Sequence, residues 1–236
     1  LLPLLDWAMP AHGRQAYLTG SNYIWGWEIN RLARATIVAA GGEVLGERYL
    51  PIGALDVGRM IDEIHATRPD FVLNSLVGVS SYEFLRAYRA LGLTDPHFRA
   101  DRCPVLSCNL TECEFPPLGE AAEGLIAAGP YFRGVAGWPG IGNFGSAHEA
   151  ASFAAVRELA RLLARQPGAE ALPLAQLLQG AGGPIGQGTH HTALPVIIAQ
   201  VRDGAFRVIQ LPGEVAGDPY LTRSAASAAQ PLRVVS

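Results

Sequence analysis

The most constraining stretch of the sequence is a largely apolar run at residues 71–78. It begins Phe-Val-Leu and, after Asn74 and Ser75, returns to apolar residues. A run of this kind, without strict polar alternation, is typical of a strand buried on both faces of a parallel sheet. Such a strand needs helices on both sides of the sheet, so the run predicts an α/β fold.

Strand and helix patterns alternate along the first half of the chain, after an apolar helix at residues 1–9. Strands are predicted at residues 15–19, 43–50, 71–78, 105–110 and 125–132. Helices are predicted at residues 23–40 and 56–67, and from a cap at Ser80 or Ser81 to residue 92. Five strands that alternate with helices predict a parallel sheet covered on both faces.

The loops that follow the predicted strands should meet at one edge of the sheet, because crossovers between parallel strands are right-handed. These loops are residues 21–25, 51–54, 77–81, 109–111 and 131–132. Ligands of open α/β sheets bind at this edge. We therefore expect a crevice there, lined by hydroxyls, amides and aromatic rings and not by acids and histidines.

The first of these loops is the strongest candidate for a binding element. Residues 20–28 read Gly-Ser-Asn-Tyr-Ile-Trp-Gly-Trp-Glu, which predicts a strand end, a tight loop and a helix start. A tyrosine there can stack its ring on a planar ligand while its hydroxyl bonds a polar group. We expect Tyr23 in the site, Tyr131 at the end of the last predicted strand as a second member, and Trp27 in the core.

The second half of the chain predicts a linker, helices and a hairpin. The G-x-G-x-x-G spelling within the glycine-rich residues 134–145 follows Trp-Pro and not a strand, so it predicts a loop and not a dinucleotide site. An amphipathic helix is predicted at residues 147–164 and a shorter one at 172–179. The residues predicted to face inward from the first of these are Phe153, Val156, Leu159 and Leu163.

Strand patterns at residues 195–201 and 205–211 flank Asp203-Gly204, the strongest hairpin signal in the chain. From residue 224 the composition turns to serine and alanine, which predicts a loosely held tail.

Composition and charge exclude several classes of function. The 236 residues are 49% hydrophobic and carry a formal charge of −3, with no basic patch for nucleic acid or an anionic membrane. The apolar runs are shorter than the ~20 residues that span a bilayer, so no membrane insertion is expected. A small neutral or zwitterionic ligand fits this surface better.

No metal, cofactor or catalytic centre is predicted. Cys103, Cys108 and Cys113 lie five residues apart, a spacing that favours ordinary buried or half-buried thiols and a reducing compartment. His190-His191 has no carboxylate at metal-ligand spacing, and no G-x-S-x-G nucleophile elbow occurs.

Several segments, in their order along the chain, are similar to one family. They are residues 20–24, 41–44, 47–51, 77–78, 122–124 and 130–132, with further similarity at 183–184, along the hairpin and at 218–220. The chain resembles the type I periplasmic-binding-protein-like family, specifically its amide and urea branch. That branch includes the amide-sensing negative regulator of aliphatic amidase operons and the substrate-binding proteins of ABC importers for urea, short amides and branched-chain amino acids.

The resemblance implies a two-lobed fold whose lobes close on a ligand at their interface. Residues 1–133 would form the second lobe as a parallel-sheet unit, and residues 134–180 a linker and helices of the first. Residues 181–221 would return to the second lobe with the hairpin, and 222–236 would be a tail. The family's opening segment, which builds the first lobe's sheet, is expected to be missing from this sequence.

The resemblance also implies a set of ligand-binding residues. Tyr23 would be the ligand aromatic of the second lobe with Trp25 beside it, Gly78 and Ser80 would line the floor, and Tyr131 the far wall. Ser21 and Thr111 complete the expected set.

The function implied is non-enzymatic binding of an amide, urea or amino-acid-like ligand, followed by lobe closure. The favoured role is a cytoplasmic amide-responsive regulator of amidase expression that sequesters an antitermination regulator protein. The alternative is a periplasmic substrate-binding component that presents its ligand to an ABC permease. A homo-oligomer is left open, and an enzyme on the same sheet is the alternative from another class.

Overall fold

A computed structural model describes residues 1–140, 142–165, 167–179, 185–186 and 191–218 of the chain. Seven strands form one sheet in the order β2-β1-β3-β4-β5-β6-β7. The strands are β1 Gln15–Ser21, β2 Glu43–Leu50, β3 Phe71–Ser75, β4 Val105–Ser107, β5 Ile126–Gly129, β6 Leu194–Arg202 and β7 Ala205–Val215. The helices are α1 Leu2–His12, α2 Ile24–Ala39, α3 Gly58–Thr67, α4 Gly78–Thr94, α5 Phe115–Leu118, α6 Ala147–Leu163 and α7 Leu174–Leu178.

The first five strands run parallel, which confirms the predicted α/β class. β6 and β7 extend the sheet antiparallel beyond β5. Asp203 and Gly204 connect them with φ angles of 54° and 69°. Two successive positive φ angles are the geometry of a type I′ turn, whose twist matches that of paired strands. The hairpin predicted from Asp203-Gly204 is therefore confirmed.

Successive strand residues pack into different cores, because side chains alternate across a sheet. Leu18 and Leu73 lie in a core formed with α1 and α2 on one face. Tyr17 and Val72 lie in a core formed with α3 and α4 on the other. Every residue of β3 is buried, as its largely apolar pattern predicts, and this includes the polar Asn74 and Ser75.

Two predictions about helices are wrong. α4 begins at Gly78 with Val77 as its cap residue, so Ser80 and Ser81 lie inside its first turn and do not cap it. In α6 three of the four predicted inward residues face outward, since Phe153, Val156 and Leu159 are 42%, 68% and 44% exposed, whereas Leu163 is half-buried. The buried residues of α6 are Ala150 and Leu162.

Other predicted features differ from the structure or lie outside it. Trp27, expected in the core, is 45% exposed and donates its indole N–H to Asn22 at 3.1 Å. Residues 183–184, His190, residues 219–220 and the predicted tail lie outside the described residues. Within the described ranges, no helix is long and apolar enough to cross a membrane.

An ion pair and a tyrosine connect β1, β2 and α3. Arg48 donates two hydrogen bonds to Glu63, one of them from Nε to Oε2 at 2.5 Å. The Tyr17 hydroxyl donates to the same Oε2 at 2.7 Å. Arg48, and to a smaller extent Tyr17, hold the pKa of Glu63 at about 2, although partial burial acts in the opposite direction.

This cluster predicts a pH-dependent contribution to stability. Because the folded-state pKa of Glu63 lies below its ordinary 4.5, the stabilisation is fully present above pH 4.5 and is lost as the pH falls towards 2. In urea titrations, Glu63→Gln should unfold at a lower midpoint than wild type at pH 7, and the gap should shrink across that range. The neighbouring, exposed Asp62→Asn is the control and should show no such change, whereas a gap for Glu63→Gln that persists at pH 2 would contradict the assignment.

Candidate functional site

A crevice of about 730 Å³ lies at the carboxyl ends of the parallel strands. The segments that follow β1, β3, β4 and β5 all contribute to it, and so does the first turn of α6. The loop at residues 51–54 does not line it, contrary to expectation. The reason is strand order, because β2 is the edge strand beyond β1 and its loop lies away from β5.

Four of the seven predicted site residues line this crevice. They are Tyr23, Trp25, Thr111 and Tyr131. The rings of Tyr23 and Trp25 are stacked, with centroids 6.4 Å apart and planes inclined by 26°. Both rings are partly exposed, so the pair offers an aromatic surface to the crevice.

The position of this aromatic pair depends on how closely α2 follows β1. Tyr23 is the cap residue of α2, and its N–H donates to the Ser21 carbonyl at 2.8 Å. A Cβ added to Gly26 would lie 2.4 Å from the same carbonyl oxygen. Only glycine allows the first turn of α2 to approach the strand end this closely.

The other three predicted residues lie away from the crevice surface. Ser21 is fully buried, and its hydroxyl accepts the Val77 N–H at 3.0 Å. Ser80 is also fully buried, and its hydroxyl has no hydrogen-bond partner among the described residues. Gly78 is exposed but does not line the crevice, where Val77 lies instead. Ser21 therefore positions a strand end and does not offer its hydroxyl to the crevice.

A buried hydrogen-bond network under the crevice connects the ends of β1 and β3 to α4. The Asn74 amide accepts the Thr19 hydroxyl at 3.0 Å and the Leu76 N–H at 3.2 Å, and it donates to the Ser81 hydroxyl at 2.9 Å. Asn74 is 1% exposed, so these groups cannot bond water instead. The network fixes where the loop after β3 leaves the sheet.

A second set of bonds attaches the end of β4 to that of β3. Asn109 donates its side-chain N–H to the Leu76 carbonyl at 3.0 Å and accepts the Ser107 hydroxyl at 2.7 Å. Asn109 also lines the crevice. The crevice floor is thus held by amide and hydroxyl groups from three adjacent strand ends.

The crevice contains an acid and a histidine, contrary to the composition expected for it. Glu114 and His148 both line it, together with Tyr82. Burial raises the pKa of Glu114, although the Thr111 N–H, Tyr82 and His148 act to lower it. The Thr111 N–H donates to the Glu114 carboxylate at 2.9 Å. Burial, followed by the charge of Glu114, raises the pKa of Tyr82.

A sequence signal for Glu114 was present. Residues 111–114 read Thr-x-x-Glu, which is the capping-box spacing and places the glutamate against the backbone where a strand ends and a helical turn begins. Tyr82 and His148 gave no such signal, because their positions depend on how α4 and α6 approach the sheet.

Tyr131 lies at the crevice but is 4% exposed, and its hydroxyl is already bonded within the protein. It accepts the Phe144 N–H at 2.8 Å and donates to the Phe144 carbonyl at 3.0 Å. The predicted role of Tyr131 as the far wall therefore concerns its ring and not its hydroxyl.

The three cysteines differ in environment. Burial raises the pKa of the Cys103 thiol to about 12, so this thiol stays protonated. Cys108 is half-buried, whereas Cys113 is exposed, contrary to the expectation of buried or half-buried thiols, and both line the crevice. Across the described residues, no three His, Cys, Asp or Glu side chains are grouped as metal ligands would be.

Comparison with known proteins gives a family and a set of structural neighbours. The family profile described as "Periplasmic binding protein domain" matches residues 1–140. A solute-binding protein of an ABC transporter from R. palustris, in complex with 4-hydroxybenzoate, aligns with a TM-score of 0.69 and 17% identity over 92% of this chain. A branched-chain amino acid ABC transporter protein from Thermus thermophilus with bound valine aligns with a TM-score of 0.71 and 17% identity, also over 92%.

An amino acid ABC transporter substrate-binding protein from Pseudomonas fluorescens Pf-5 aligns with a TM-score of 0.69 and 20% identity, over 92% of this chain and 63% of its own. The chain likewise spans 64% of the length of each of the other two neighbours. At these identities the likeness concerns the fold, which is the sheet covered by helices on both faces described above.

The buried network predicts that Asn74→Ala destabilises the protein strongly. The change leaves the Ser81 hydroxyl and the Leu76 N–H without their buried partner, and the Thr19 hydroxyl with only its 3.3 Å bond to the Leu73 carbonyl, so the free energy of unfolding should fall by about 3 kcal/mol. Urea unfolding followed by circular dichroism measures this loss. Asn143→Ala, at an exposed position, is the control and should change little; equal midpoints for the two variants would show that the Asn74 bonds are not needed.

Proposed function

We propose a ligand-binding function for this chain, which belongs to the family described as periplasmic binding protein domain. In this proposal it is the substrate-binding component of an ABC importer, it binds a small molecule without chemical conversion, and the carboxyl-end crevice is one half of its binding site. The observation that carries the proposal is the stacked Tyr23–Trp25 pair at the mouth of a 730 Å³ crevice formed by four parallel strand ends. Small-molecule sites are typically concave, about 300–1,000 Å³ in volume and rich in aromatic side chains.

The side chains that line the crevice restrict which chemical groups of a ligand can bind in this half of the site. The crevice-lining residues within the described chain include no arginine or lysine. Their ionisable groups are a carboxyl, an imidazole, thiols and tyrosine hydroxyls. A ligand carboxylate would meet no fixed positive side chain here, whereas an ammonium, amide N–H or hydroxyl could donate to Glu114 and pack on the aromatic pair. The end of the ligand that enters this half is therefore neutral or cationic.

The neighbours support the importer role over the amide-responsive regulator that the sequence pattern favoured. The solved proteins described above are components of ABC transporters, and two of them hold 4-hydroxybenzoate and valine. An importer component acts outside the cytoplasmic membrane, so the proposal places this protein in the periplasm with an ABC permease as its partner. Neither ligand is assigned to this chain, but the two define a starting set: small aromatic acids and aliphatic amino acids.

The predicted division into lobes belongs to the same proposal. Residues 1–133 and the hairpin supply all seven strands of one sheet, which we assign to one lobe. The outward apolar side chains of α6, with Val156 at 68% exposure, support the assignment of residues 134–180 to the other lobe. Closure of the two lobes on a ligand would bring new surface over the crevice.

The aromatic pair predicts a binding defect without a folding defect. In the full-length protein, Trp25→Ala removes half of the stacked surface and should weaken binding of its ligand by about 5- to 150-fold, given ~1–3 kcal/mol for an aromatic contact. Isothermal titration with valine, 4-hydroxybenzoate, benzoate and short amides measures this. Trp27→Ala removes an exposed tryptophan that does not line the crevice and serves as the matched control.

Two results would contradict the proposal. One is that Trp25→Ala binds the probe with the same affinity as wild type. The other is an equal loss of affinity in Trp27→Ala, which would place the ligand on the outer side of α2 and not in the crevice.

The importer role predicts the compartment and the partner. Fractionation of the host cell should recover the full-length protein with the periplasmic fraction, and the ligand-loaded protein should stimulate ATP hydrolysis by a reconstituted ABC permease from the same host. Recovery in the cytoplasm, with an antitermination protein that short amides release, would contradict this role and support the regulator.

A further inference from the structure

The hydroxyl of Tyr131 joins two segments that are otherwise separate in the fold. Tyr131 follows β5, and two residues separate Phe144 from the start of α6. The Tyr131 hydroxyl accepts the Phe144 N–H at 2.8 Å and donates to the Phe144 carbonyl at 3.0 Å. Arg133 adds a longer bond to that carbonyl at 3.3 Å, but the N–H has no partner other than Tyr131 within the described residues. The rings of Tyr131 and Phe144 also pack edge to face at 5.7 Å.

The joined segment leads directly into α6. Glu149 accepts the Gly145 N–H at 2.7 Å, and the Ser146 hydroxyl caps the helix by accepting the Glu149 N–H at 3.1 Å. The Phe144 ring packs on Phe153 of α6 with centroids 5.0 Å apart. Bonds that hold Phe144 in place therefore also hold the first turns of α6, through both backbone and side-chain contacts.

Within the part of the chain that the structure describes, α6 has few other attachments to the sheet, which is why this position matters. Phe153, Val156 and Leu159 are exposed, and the residues that α6 buries are Ala150 and Leu162. Its first turn nevertheless forms a wall of the crevice through Ala147, His148 and Ala151. A helix that is not held by a broad core contact needs a specific bond to keep this wall in place.

We propose that Tyr131 is a positioning residue: its hydroxyl holds Phe144, and so keeps the first turn of α6 against the crevice, rather than bonding a ligand. The consequence for ligand binding rests on the proposed function, whereas the structural role does not. The hydroxyl is used twice within the protein and the side chain is 4% exposed, so a ligand group would have to displace both bonds to reach it. Tyr131 thus fixes the position of one crevice wall, while its own hydroxyl stays bonded within the protein.

The direct test is amide hydrogen exchange of the full-length protein without any ligand. Tyr131→Phe keeps the ring but leaves the Phe144 N–H without an acceptor. Exchange at residues 144–151 should accelerate by at least about fivefold, because the variant loses both hydrogen bonds of the Tyr131 hydroxyl. Exchange in β3 should stay slow, because the variant releases only the segment at residues 144–151. A global loss of stability would instead accelerate exchange in both regions.

Two further variants keep the test falsifiable. Tyr49→Phe removes a hydroxyl that bonds Glu47 on edge strand β2, and it should leave exchange at residues 144–151 unchanged. Phe144→Ala keeps the backbone groups that bond Tyr131 and should accelerate exchange less than Tyr131→Phe. Unchanged exchange in Tyr131→Phe, or an equal effect of Phe144→Ala, would overturn the proposal, the second by showing that ring packing and not the hydroxyl holds the segment. Because no ligand is used, the result is independent of whether the crevice binds the probes named above.

Discussion

The crevice depends on one buried side chain, the amide of Asn74. A parallel sheet brings its strand ends to a common edge but does not by itself fix how each chain leaves that edge. Asn74 does this for the centre of the sheet, because it bonds β1 through Thr19, the exit of β3 through Leu76 and the first turn of α4 through Ser81. Buried amides are costly unless every donor and acceptor is used, so the network specifies one arrangement of these segments.

The buried polar side chains under the crevice have a different role from the side chains that line its surface. The buried ones include Ser21 and Ser107, which use their hydroxyls on backbone or neighbouring side chains. The aromatic part of the surface includes Tyr23, Trp25 and the ring of Tyr131. Small hydroxyl residues at the strand ends therefore build the frame, and aromatic residues supply the area that a ligand would contact.

Much of the fold could be predicted from the sequence because it rests on local periodicity. The largely apolar pattern of β3, the helix pattern of α3 and the Asp203-Gly204 turn each depend on residues close in sequence. The failures involve contacts between distant segments. Ser80 matched a helix-cap pattern, but α4 starts two residues earlier and turns Ser80 into the core. The outward face of α6 could not be predicted either, because periodicity shows that a helix has an apolar side but not which surface covers it.

The candidate site was predictable in part for the same reason. Tyr23, Thr111 and Tyr131 lie in the segments that follow strands, and periodicity predicts where those strands end. Tyr82 and His148 reach the crevice only through the packing of α4 and α6, which no local pattern encodes. The internal use of the Tyr131 hydroxyl depends on Phe144, thirteen residues further along and across a glycine-rich segment.

The most direct measurement is a crystal structure of the full-length protein with the small molecule that copurifies from its host or that binds in titration. The account predicts that the molecule lies in the carboxyl-end crevice, in contact with Trp25 and the Tyr131 ring, with its neutral or cationic end towards Glu114. A molecule bound instead in the cavity of about 300 Å³ near Tyr88 and Phe98, which lies beside the first residue of β4, would contradict it.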